Sequence, residues 1–266
     1  MQEVKDLFAG PTKQVFFSIN GEEIEQPFEV GLNTMSLRPT DATNEKDCIT
    51  VRLRNYIHVL HLSNYYYDAK MRECTVIPHA VFFELLDALS SVFQLPIELT
   101  DESTKKVKDH PECKIPHFIM ALAKGQTFYN HFHFENAKFA RFILKYQKVK
   151  LLDFNPELYA MYEGIIGEQA DVSLMQAAKF ILDNCDNPIL QRFKKRFIKE
   201  LSAVTPDGTF KKLPSTDTYS VEVTQLDEHR FKVDFVESSK RRISAFAESK
   251  RRRTVEGGRK SKKRRF

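Results

Sequence analysis

The stretch Cys113-Lys114-Ile115-Pro116-His117-Phe118-Ile119-Met120-Ala121-Leu122-Ala123-Lys124-Gly125-Gln126-Thr127-Phe128-Tyr129-Asn130-His131-Phe132-His133-Phe134 decides how the rest of the chain is read. Pro116 suits the first turn of a helix, where its missing N–H has no helical partner anyway. Phe118, Ile119, Leu122 and Ala123 then fall on one apolar side. The helix runs into Phe, Tyr and His side chains crowded near a single glycine, Gly125. Residues before this stretch pattern as sheet, and residues after it as helices.

Working back towards the N-terminus, residues 1–12 read as a loose leader. Lys13 to Ile19 alternates as a strand, and Asn20-Gly21 is a strong hairpin turn because both residues accept positive φ. Gly31 to Asp47 is polar, contains Pro39 and reads as loop. Cys48 to Leu62 reads as one long strand and Tyr65 to Ile77 as a second. Pro78 opens a helix whose Phe82, Leu85, Leu86, Leu89 and Val92 share a face, and which stops before Pro96. Ile97-Glu98-Leu99 is a short strand, and Thr100 to Pro111 a charged loop.

Towards the C-terminus, Ala137 to Leu152 fits a strand or a helix. Helices are expected over Pro156 to Ile166, Ser173 to Asn184 (Ser173 as N-cap) and Pro188 to Ser202. Gly164 and Gly167 need no phosphate to explain them, since a glycine C-cap suffices. A last hairpin, Thr218 to Gln225 and Arg230 to Val236, alternates in period two. The fold class is therefore α+β: a mixed or antiparallel central sheet with flanking helices, a helical extension and a terminal hairpin.

With 42% hydrophobic residues and 22 Phe, the chain can build a real core. Met1-Gln2-Glu3-Val4-Lys5-Asp6 is charged and unlike a signal peptide, and no window approaches the roughly 18 apolar residues of a membrane span. An intracellular protein with no membrane partner is expected. Cys48, Cys74, Cys113 and Cys185 are scattered without a C-x-x-C pair and read as free thiols.

Charge is distributed unevenly. Residues 240–266 carry 13 Lys/Arg and 2 Glu, a net +11, while the preceding 239 residues carry 28 Lys/Arg and 34 Asp/Glu, a net −6. The basic residues are Lys240, Arg241, Arg242, Lys250, Arg251, Arg252, Arg253, Arg259, Lys260, Lys262, Lys263, Arg264 and Arg265. Such a segment has too little apolar content to fold alone, so residues 237–266 are expected to be a disordered basic tail. It suits non-specific nucleic-acid binding or an importin, and the first two clusters are spaced like a bipartite import signal. Ser244 and Thr254 follow basic runs and are candidate phosphorylation sites, where added negative charge would weaken polyanion binding. The acidic body calls for a separate, unknown protein partner.

Ala123 to Phe134 resembles the "A-x-x-F-Y-x-x-x-x-F" ending of the last helix in GNAT-type N-acetyltransferases. Gly125-Gln126-Thr127-Phe128-Tyr129 is similar to the form found in GNAT-like proteins of large DNA viruses. The resemblance covers about residues 49–135. It implies a GNAT-like core over 1–135, followed by a helical extension with a terminal hairpin over 136–236. For an active enzyme it implies acetyl-CoA as cofactor, with Tyr129 as general acid. The place where that family cradles the pyrophosphate reads Cys74-Thr75-Val76-Ile77-Pro78-His79-Ala80-Val81-Phe82. It has no glycine, and Pro78 removes a donor.

The remaining chemistry is sparse. His131 and His133, if on a strand, point the same way and could share a metal with His117 and Cys113. The polar face of an amphipathic strand explains them as well. His58 and His61 fall on opposite faces of the expected long strand, and Tyr65, Tyr66 and Tyr67 could stack on bases. The expectation is a non-enzymatic nuclear or virion-associated interaction protein with no cofactor or metal, a pseudoenzyme at most, and the resemblance implies that it is virus-encoded. The alternative is a GNAT-type acetyltransferase.

Overall fold

The computed structural model describes residues 1–38, 47–54, 58–65, 77–100, 104–107, 110–169 and 171–238. Tyr66, Tyr67, most of the second expected long strand and the basic residues of the tail lie outside them. The chain divides into two compact units, Met1–Ile97 with the chain from Leu213 onward, and Glu98–Lys212.

The first unit is a mixed sheet with two helices. Its strands are β1 (Lys13–Ile19), β2 (Glu22–Glu23), β3 (Phe28–Gly31), β4 (Thr34–Leu37), β5 (Ile49–Arg54), β6 (Val59–Tyr65), β11 (Tyr219–Gln225) and β12 (Arg230–Glu237). They lie in the order β6-β5-β4-β3-β1-β12-β11, with β2 paired to the end of β1. Among these described pairs β1 and β12 run parallel and the others antiparallel. The Asn20-Gly21 turn forms as predicted, at φ 52 and 87. Helix α1 (Gln2–Ala9) packs on β3, and α2 (His79–Phe93) packs on β1, β11 and α1.

Three expectations here are corrected. The leader is helical because Val4 and Phe8, four apart, both bury, and Phe8 meets Phe93 edge-on at 5.0 Å. The polar loop after Gly31 contains β4, whose Met35 and Leu37 are fully buried. Leu32 and Asn33 make the hairpin turn that leads into it, at φ 51 and 61. The single long strand over Cys48 to Leu62 is two antiparallel strands, and His58 at φ 52 marks where the chain reverses. An apolar run shows burial but not direction, so a short break inside it escapes periodicity.

The second unit is mainly helical. It contains the hairpin of β8 (Thr104–Val107) and β9 (His110–Pro116), where a charged loop was expected. Then come α3 (His117–Lys124), a 3-10 turn (Phe128–Phe132), α4 (Ala137–Tyr146), α5 (Leu151–Phe154) and α6 (Pro156–Ile166). They are followed by α7 (Leu174–Asp183), a 3-10 turn at Pro188–Leu190 and α8 (Gln191–Ser202). Strand β10 (Thr209–Lys212) lies beside β7 (Ile97–Thr100), where Lys211 Nζ reaches Glu98 Oε2 at 2.9 Å.

Helices α3 and α7 pack together, and the ambiguous segment after Asn136 resolves as helix. The Asn136 side chain accepts the Phe139 N–H at 2.9 Å, and one apolar face (Phe139, Phe142, Ile143) is buried. Ser173 caps α7 as expected, with Gln176 returning a bond to the Ser173 N–H at 2.8 Å. Gly167 ends α6 at φ 77, the C-cap foreseen for it.

Two glycines of the sheet should respond differently to a methyl group. At Gly31 a Cβ would sit 2.6 Å from Thr12 Cα, whereas Gly21 faces open space. Urea unfolding should therefore show a loss of about 3 kcal/mol for Gly31→Ala, from overpacking against backbone, and about 1 kcal/mol for Gly21→Ala, from its positive φ alone. Equal losses would show that the Thr12 contact does not hold the strand end.

Candidate functional site

The aromatic turn after α3 is built by local capping. Gly125, at φ 78, ends α3 in the left-handed region, where a glycine carries no Cβ penalty. Thr127 is buried; its N–H and hydroxyl both donate to Asn130 Oδ1 at 2.8 Å, and Asn130 Nδ2 donates to the Phe134 carbonyl at 3.2 Å. These bonds wind Phe128–Phe132 into its 3-10 turn and point Phe134 into the core, where it is fully buried. Tyr129 is half-buried on an aromatic cluster, 5.3 Å from Phe128, 6.1 Å from Phe134 and 5.9 Å from Phe210 between ring centres. Phe139 extends the cluster to Phe210 at 5.5 Å and His117 at 5.6 Å.

This geometry changes the histidine expectation. His131 lies within the 3-10 turn and His133 caps its end at φ 62, so they do not alternate on a strand. His131 Nε2 lies 3.4 Å from Gln126 Nε2. His61, on β6, pairs through Nδ1 with Ser63 Oγ at 2.9 Å, while His58 belongs to the preceding turn. Among the described residues no three His, Cys, Asp or Glu side chains are arranged to hold a metal ion.

Where a pyrophosphate cradle would lie, α2 begins after Pro78 with no side-chain cap. Ile77 is buried, and burial pulls the His79 imidazole below its ordinary value, which disfavours the charged form that would greet a phosphate. Cys74, Thr75 and Val76 lie outside the described residues.

The cysteines require a correction: Cys48 and Cys185 are disulfide-bonded, not free thiols. Both are buried, at 1% and 2% exposure. Sequence spacing carries no signal of this, since neither residue lies in a C-x-x-C pair.

A polar cluster in the first unit was also illegible in the sequence. The Asn20 side chain accepts the Glu237 N–H at 2.9 Å and donates to Glu84 Oε1. Ser91 Oγ donates to the Asp217 carbonyl at 3.0 Å. Tyr219, packed edge-on against Phe235 at 6.4 Å, is pushed well above the ordinary phenol range, first by burial and then by Asp87, Glu84, Glu237 and Asp217. The group is held neutral. A shallow cleft of about 410 Å³ near Lys13 and Arg230 has its charges already engaged: Lys13 Nζ donates to the Glu228 carbonyl at 2.8 Å and Arg230 pairs with Asp227.

No helix among the described residues is long and apolar enough to cross a membrane. The protein matches no known family model, no curated protein and no solved structure.

Two outcomes follow from this geometry. Tyr219 has a folded pKa above its unfolded one, so the unfolded chain ionises first, and stability present below pH ~10 is lost above it. In unfolding titrations between about pH 9 and 11, Tyr219→Phe should lose less stability than the wild type; parallel curves would refute the buried phenol. Alkylation under native conditions should label neither Cys48 nor Cys185 until a reductant is added, and reduction should lower stability by about 2–4 kcal/mol.

Proposed function

We propose that this is a non-enzymatic interaction protein whose basic C-terminal tail binds nucleic acid, directs nuclear import, or does both. The observation that carries this is charge: 13 Lys/Arg against 2 Glu in residues 240–266. The first unit up to Ser238 carries 10 Lys/Arg against 19 Asp/Glu, and the second 18 against 15. Polyanion affinity is therefore supported at the tail and disfavoured over the first unit as a whole. A virus-encoded protein in the nucleus or virion fits this reading. The bonded cysteines favour the virion, because disulfides are rare in nuclear proteins and persist on virion surfaces.

The alternative is a GNAT-like core acting as an N-acetyltransferase, with acetyl-CoA as cofactor and Tyr129 as general acid. It is supported by the resemblance of residues 123–134 and by the partial exposure of Tyr129. No cradle glycine is present to assist it.

Deleting residues 240–266 and measuring duplex DNA affinity across salt tests the tail. The truncated protein should bind more weakly with a shallower salt slope, each lost phosphate contact removing about 0.9 from the slope. An unchanged affinity and slope would end this proposal. Thermal unfolding with acetyl-CoA tests the alternative: the preferred reading expects no shift, whereas a bound cofactor at 100 times its Kd would add about 2.7 kcal/mol.

A further inference from the structure

We infer that the exposed face of α4, in the second unit, is an additional nucleic-acid backbone surface separate from the tail. It takes its partner class from the nucleic-acid proposal and places a contact where that proposal has none. Lys138, Arg141 and Lys145 lie on α4, and Lys148 lies in the turn that continues it, held by the Gln147 N–H to Ile143 carbonyl bond at 2.9 Å. All four are exposed. Their spacing of three, four and three residues puts them in one stripe about 15 Å long, at 1.5 Å rise per residue. Phe139, Phe142 and Ile143 are buried on the face towards the core. A Cβ on Gly125 would lie 3.9 Å from Gln147 Oε1, so the end of α3, with exposed Lys124, adjoins the end of the stripe.

The stripe has no counter-charge of its own. No Asp or Glu occurs from Asn136 to Leu152. Arg141 Nε donates to the Ala137 carbonyl at 3.3 Å, and Lys145 Nζ sits 4.9 Å from the Tyr146 ring centre. Neither these two nor Lys124, Lys138 and Lys148 form an ion pair among the described residues. Other cations of the same unit do: Lys150 with Asp171 at 2.7 Å, and Arg196 with Glu157 at 3.3 Å and with Glu200 at 2.8 Å. Like charges three and four apart repel, and Lys138 opposes the dipole in the first turn of its helix. The arrangement therefore works against folding, and its use lies in an external anion.

A rigid row of exposed cations suits a polyphosphate, which presents charge at regular intervals. A bilayer suits it less, because the apolar face that would insert is already buried; Leu144, at 66% exposure, is the one large apolar side chain α4 leaves out. The contact is to backbone phosphate and carries no base preference.

The test uses the full-length chain and a mixed-sequence DNA duplex, with fluorescence anisotropy at several salt concentrations. The variants are Lys138→Ala/Arg141→Ala/Lys145→Ala/Lys148→Ala, a tail variant (Lys262→Ala/Lys263→Ala/Arg264→Ala/Arg265→Ala), their combination, and a charge-matched control (Lys5→Ala/Lys179→Ala/Arg192→Ala/Lys195→Ala). The α4 variant should flatten the log–log salt slope by roughly 3 to 4, with the tail intact or altered, and the control by less than about 1. An α4 slope equal to wild type, or to the control, overturns the inference while leaving the tail proposal standing if the tail variant weakens. Loss in the α4 variant with none in the tail variant does the reverse. Binding of anionic vesicles lost in the α4 variant, with duplex binding unchanged, would assign the surface to lipid and also overturn it.

Discussion

Strand β1 is hydrogen-bonded along both edges, by β3 antiparallel and by β12 parallel, and the first unit depends on that double pairing. A parallel neighbour cannot come from a tight turn, so it must arrive by a long excursion of chain. Here the excursion is over 200 residues: Gln14 pairs with Arg230 and Ile19 with Phe235. Phe17, fully buried at the centre, meets Phe28 at 5.5 Å on one side and Phe235 at 6.2 Å on the other. The strand that completes this sheet is therefore the last strand described, and the basic tail follows directly from it.

Electrostatics separates the parts as clearly as contacts do. The acidic side chains Glu84, Asp217 and Glu237 gather around Tyr219 in the first unit, where their repulsion of a phenolate keeps that group neutral. In the second unit, α4 carries cations on its exposed face with no acid on the helix. The two charge densities thus lie in different units of the chain.

From Gly125 to Phe134 the chain is held by its own capping bonds. The Thr127–Asn130 bonds and the aromatic contacts of Tyr129 give Gly, Thr, Phe, Tyr and Asn each a structural role there. The same bonds account for the histidines, because a chain wound into a 3-10 turn cannot present His131 and His133 side by side.

Local signals were readable from the sequence wherever a short segment determines its own backbone. The Asn20-Gly21 turn needs two residues tolerant of positive φ, Pro116 and Ser173 mark helix starts, and the terminal hairpin alternates in period two. Only tertiary structure decided the rest. Periodicity could not divide Cys48 to Leu62 into β5 and β6, nor show that β12 would lie parallel to β1. Spacing did not reveal that Cys48 and Cys185 are bonded, and the carboxylates around Tyr219 come from segments far apart in sequence. The sequence by itself determined which segments are apolar, capped or charged, because those are properties of neighbours along the chain. Which of them meet, and which cations are left facing solvent, is set by packing, since burial is a property of the folded whole.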